Sequence, residues 1–117
     1  MDIIKQLEKD YSIDPDQICA TGKLDGSRFG GTVACDPVLS QKIAAFGPVS
    51  GAFYVEESRT LYPAGVTIPC NPGQAKIPIM KFPGYKDRTI EYSQGTRNSA
   101  CLPTIPHWTQ GWALRDG

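Results

Sequence analysis

Glycine and proline interrupt this chain at 22 of 117 positions. That punctuation limits every regular element to a few helical turns or a short strand. Turn signals recur every 8–12 residues, the spacing of a small sheet protein. The length fits one domain able to bury roughly two-thirds of its unfolded surface. The longest apolar runs are four or five residues, against the ~20 needed to span a bilayer, so no membrane segment is expected.

Two helices stand out. Ile3, Ile4, Leu7 and Tyr11 form one stripe behind Asp2, a possible N-cap. Asp36-Pro37 opens a second helix, with Leu39, Ile43 and Phe46 on one face and Gly47-Pro48 as its stop. After Asp14-Pro15, the alternation of Ile18, Ala20, Gly22 and Leu24 reads as a strand, and Asp25-Gly26 as the hairpin turn leading to residues 29–35. Residues 52–55 and 59–62 read as a hairpin across Glu56-Glu57-Ser58. Residues 66–68, 76–82 and 88–92 complete the set, with Pro78 placing its strand at an edge or a bulge. The expected fold is therefore α+β and mostly β: an antiparallel sheet or small barrel of short strands, with an N-terminal helix and one central helix.

The expected organisation is a domain over residues 1–100 and an extended arm over 101–117. Pro103 and Pro106 bias that arm toward polyproline geometry. The arm carries both tryptophans, and Leu102, Ile105, His107, Trp108, Trp112 and Leu114 are its candidate interface residues. Such a surface packs either on its own domain or on a neighbouring subunit.

The motifs that announce chemistry fail one by one. Around Gly22-Lys23 a phosphate loop would need Gly at 17 and Ser or Thr at 24; the chain has Gln17 and Leu24. Gly22, Gly26, Gly30 and Gly31 do not make a dinucleotide fingerprint and read as turns and bends. Asp14-Pro15-Asp16 lacks the rest of a calcium loop, and Asn98-Ser99-Ala100 is not a glycosylation site. Glu56 and Glu57 would face opposite sides of a strand, so they are no ready acid–base pair. Cys19, Cys35, Cys70 and Cys101 show no close pair, and His107 is the single histidine, so no metal site and no cofactor are expected. With no export signal in view, the four cysteines read as free buried thiols and the setting as cytoplasmic, or a particle made there. A Cys101/His107 enzyme is a minor alternative, since imidazole chemistry would have to use that one ring.

Charge is balanced overall but not along the chain. Residues 1–60 hold six basic and nine acidic groups; residues 61–117 hold six and three. Lys76, Lys81, Lys86, Arg88 and Arg97 interleave with Phe82, Tyr85 and Tyr92, a pattern that can grip single-stranded nucleic acid. Five charges beside Asp87 and Glu91 make a thin footprint, so nucleic acid is a lesser alternative. The leading expectation is a non-catalytic structural or protein-interaction subunit, a homo-oligomer or virion component docking through its aromatic arm. The next is a small inhibitor or sequestering module for one macromolecule or small ligand.

Overall fold

A computed structural model describes residues 2–55, 64–93, 96–97 and 100–117. Its centre is a strand–helix–strand unit. Strand β1 (Cys19–Lys23) leads into helix α2 (Asp25–Cys35), and the chain returns as strand β2 (Ala45–Val49), parallel to β1 from Cys19↔Ala45 to Lys23↔Val49. Segment 78–82 runs parallel along the other side of β2, bridging Phe46↔Ile79 and Val49↔Phe82. Phe46 N–H donates to the Pro78 carbonyl (2.9 Å), and Phe82 N–H to the Pro48 carbonyl (2.9 Å). Helix α1 (Asp2–Asp10) precedes this unit, strands β3 (Thr96–Arg97) and β4 (Ala100–Cys101) form a two-residue antiparallel pair, and helix α3 (Ile105–Asp116) closes the fold.

This corrects the expected architecture. The main sheet is small and parallel, and helix outweighs strand. Asp25-Gly26 does not turn a hairpin but opens α2, where Gly22 and Gly31 serve close packing rather than bends. A Cβ on Gly22 would meet the Gly26 carbonyl carbon at 2.5 Å, and one on Gly31 would overlap the Phe53 ring. Tertiary contact thus overrides the poor helix propensity of glycine.

The expected central helix shrinks to a 3-10 turn, Leu39–Lys42. Its Asp36 cap is present: Oδ1 accepts from the Val38 and Leu39 N–H groups, both at 2.8 Å. The two bonds hold the Asp36 carboxyl below its ordinary pKa. The turn ends early because its groups are used elsewhere. Ser40 Oγ accepts from Gly73 N–H, and Gln74 Nε2 donates to the Ser40 and Ile43 carbonyls. Gly47 and Pro48, read as a helix stop, lie inside β2 instead.

The C-terminal stretch is a helix, not an extended arm. Thr104 caps it, accepting from His107 N–H (3.2 Å), and Pro106 occupies its first turn, where a missing N–H costs nothing. Ile105, Trp108 and Trp112 are buried, and the two tryptophans meet Val33 and Ala34 of α2, Ile43, Phe46 and Ile77 in the main core. Two smaller clusters, Ala52–Ile90–Leu102 and Val55–Val66–Cys101, flank it. Residues 66–68 and 88–92 form no strand. Residues 59–62 and Glu56-Glu57 lie outside the described residues.

The cysteines are also corrected. Cys35, the last residue of α2, is disulfide-bonded to Cys70, and only Cys19 and Cys101 are free. Spacing in sequence did not reveal the pair because its approach is created by the fold.

Candidate functional site

In open parallel sheets, ligands meet the carboxyl ends of the strands. Here that end carries an unusual turn. Leu24 joins β1 to α2 with φ 54° and ψ −114°, a conformation that non-glycine residues rarely adopt. Its N–H donates to the Val49 carbonyl (3.1 Å), and Gly22 and Gly26 touch across the bend. A strand, a strained apex residue flanked two positions away by glycines, and a helix make the backbone of a nucleophile elbow. Hydrolases built on this turn place Ser at the apex; this chain places Leu24, half exposed and without a nucleophilic atom.

The other groups that such chemistry needs are engaged elsewhere. Asp87 follows segment 78–82 at the same end of the sheet. Its Oδ1 accepts from the Thr89 (2.8 Å) and Ile90 (2.9 Å) N–H groups. Those bonds, with the Ser50 hydroxyl and Arg97 nearby, hold the carboxyl below its ordinary pKa. His107 Nε2 lies 2.7 Å from the Val66 carbonyl oxygen. A carbonyl only accepts, so Nε2 is the nitrogen that donates there. Cys101 is fully buried and its thiol is pushed up by burial, the opposite of an activated cysteine.

A cavity of about 560 Å³ lies beside α2, within the ~300–1,000 Å³ range of small-molecule sites. One wall is aromatic: Phe53 stacks on Trp108 with centroids 4.4 Å apart and planes inclined at 18°. Another is the Arg28 guanidinium, 4.9 Å from the centre of the Tyr54 ring. Thr32, Asp36 and the Cys35 end of the disulfide also line the cavity. Behind the stack, Lys81 Nζ sits 4.3 Å from the Phe53 centroid and 4.6 Å from that of Trp108. Burial pulls its pKa from 10.5 to about 7.

The expected interface residues divide. Leu102, Ile105, Trp108 and Trp112 are core, His107 is half-buried against Val66, and Leu114 alone is well exposed. Of the basic–aromatic set, Lys81 turns inward and Arg97 donates to the Thr89 carbonyl (2.6 Å). Lys76, Phe82, Tyr85, Lys86, Arg88 and Tyr92 remain on the surface. Sequence reasoning missed the elbow because a search for nucleophiles passes over Leu24. The signal present was Gly22 and Gly26, four apart at a strand–helix junction. No family model, no curated protein and no solved structure matches this chain.

Proposed function

We propose that this chain is a non-catalytic binding module that holds one small, partly aromatic ligand beside α2. The observation that carries the reading is the cavity, lined by the stacked Phe53–Trp108 rings and by the Arg28–Tyr54 pair. Flat rings supply apolar area at little entropic cost, and a guanidinium orients a polar edge. Leu24 at the elbow apex supports the absence of turnover. The Cys35–Cys70 bond favours a compartment where disulfides persist, so the cytoplasmic expectation is not carried forward.

The test is titration with anilinonaphthalene sulfonate, an aromatic anion, read by dye fluorescence and by Trp108 emission. One dye per chain is expected, with affinity weakened about tenfold, or 1.4 kcal/mol, by Arg28→Ala and by Thr32→Tyr, which fills the rim. Binding indifferent to both variants overturns the reading.

A specific observation favours a second reading, a protein partner. The sheet face opposite α2 carries Met80 and Phe82, 66% and 50% exposed, with Gly47 beside the Phe82 ring. Parallel sheets are ordinarily covered on both faces. The interaction role expected of the C-terminal residues would then pass to this face. Light scattering of the intact chain and of Phe82→Lys checks it: a dimer lost in the variant supports it, and a monomer in both removes a second copy as the partner.

A further inference from the structure

We propose that the cavity beside α2 takes a short zwitterionic peptide of about three residues, with its ammonium at Asp36, its carboxylate at Arg28 and a central aromatic side chain on the Phe53–Trp108 pair. The inference rests on the binding reading above and gives its ligand a chemical class.

Arg28, Gly31, Thr32, Cys35 and Asp36 all line the cavity. Their spacing makes them one face of α2 and its C-cap. Gly31 has no side chain to hold the Phe53 ring away from that face. The face carries a cation toward one end and an anion at the other. Eight residues of helix rise about 12 Å, so the two charges stand apart rather than paired with each other. An extended chain covers ~3.3–3.6 Å per residue, so three residues hold a terminal ammonium and a terminal carboxylate about 10 Å apart. A single amino acid has both groups on one carbon and cannot serve both ends.

Each polar group has capacity for such a ligand. Asp36 Oδ1 is fixed by the Val38 and Leu39 N–H groups, and these bonds keep the carboxyl ionised. Among the described residues no cation pairs with it. The Arg28 guanidinium lies over the Tyr54 ring, and its five N–H donors serve more than one partner. The Thr32 hydroxyl donates to the Arg28 carbonyl (3.3 Å), which leaves its lone pairs to accept from a peptide N–H. The rings suit a neutral side chain better than the ammonium. Lys81 Nζ is already 4.3 and 4.6 Å from their centres, and a second cation there would meet a like charge. An uncharged aromatic ring extends the stack instead.

The experiment is calorimetric titration of the intact chain with Gly-Phe-Gly at pH 6.5, where a terminal amine of pKa about 7.7–8.0 is charged. One peptide per chain is expected. N-acetylation of the peptide and Asp36→Asn are each expected to weaken binding about threefold, the scale of one solvated ion pair. Asparagine caps as aspartate does, so the variant keeps its turn. The two losses should not add, because both remove the same contact. Acetylated peptide bound as tightly as the free one overturns the proposal on the unaltered chain alone. So does an Asp36→Asn loss that is equal for both peptides. Gly-Leu-Gly bound as tightly overturns the aromatic class, and free phenylalanine bound as tightly overturns the two-ended arrangement. If no peptide binds while dye binding keeps its dependence on Arg28 and Thr32, the peptide falls and the cavity reading stands. If dye binding is also indifferent to those variants, both fall.

Discussion

Gly22 and Gly26 touch across the bend between β1 and α2 so closely that a methyl group on Gly22 would reach the Gly26 carbonyl carbon at 2.5 Å. Both partners at that contact are backbone and have little room to yield. Gly22→Ala is therefore expected to destabilise the fold by about 1–3 kcal/mol, the cost of overpacking. Gly26→Ala has the opposite expectation. Nothing lies within 4 Å of a Cβ there, and alanine gains up to ~1 kcal/mol in helix propensity. Urea unfolding of the two variants checks both signs at once.

Leu24 holds a left-handed backbone. Leu24→Gly is expected to stabilise by about 1 kcal/mol, because glycine removes the Cβ penalty and little burial is lost. Leu24→Ser is expected to hydrolyse p-nitrophenyl acetate no faster than the parent, since His107 Nε2 is committed to the Val66 carbonyl. Turnover by the serine variant would show that a base reaches the elbow.

The Cys35–Cys70 bond closes a sequence separation of 35 residues. Chain-entropy arithmetic for such a loop gives about 4 kcal/mol. Urea midpoints with and without a phosphine reductant should differ accordingly. The Cys35→Ala/Cys70→Ala variant should match the reduced protein.

Lys81 sets a pH dependence of definite sign. Its folded-state pKa is lowered from 10.5 to about 7. Between those values the unfolded chain binds a proton that the folded chain does not. Stability from this group therefore rises as pH climbs from 7 toward 10.5. Lys81→Met is expected to flatten that rise and to exceed the parent in stability at pH 6. Thermal unfolding of the pair, compared across the range, separates Lys81 from the other titrating groups.

The local devices were legible in the sequence and their tertiary uses were not. Asp36 reads as a cap and is one, because a cap needs only neighbours two and three residues on. The N-terminal stripe reads as a helix, yet only Ile4 reaches the core and Ile3 stays 77% exposed. Asp25-Gly26 serves a hairpin or a helix start equally well, and the contact of Gly31 with Phe53, two elements away, decides between them. Pro103 and Pro106 read as an extended arm, yet Thr104 is the N-cap of a proline-led helix. Lys81 reads as one charge of a basic patch; only the fold sets it against two rings.

The last turn of α3 has a reach beyond its own helix. Asp116 Oδ1 accepts from Ile77 N–H at 3.1 Å, and Arg115 donates to the Ile68 carbonyl at 3.1 Å. Ile77 is 1% exposed, at the heart of the core. During synthesis at ~5–20 residues per second, β1, α2, β2 and segment 78–82 therefore emerge well before the residues that fasten them. The nascent sheet must wait on the ribosome with Ile77 and Phe46 uncovered until Trp108, Trp112 and Asp116 arrive. A chaperone that binds apolar segments would have its longest opportunity in that interval.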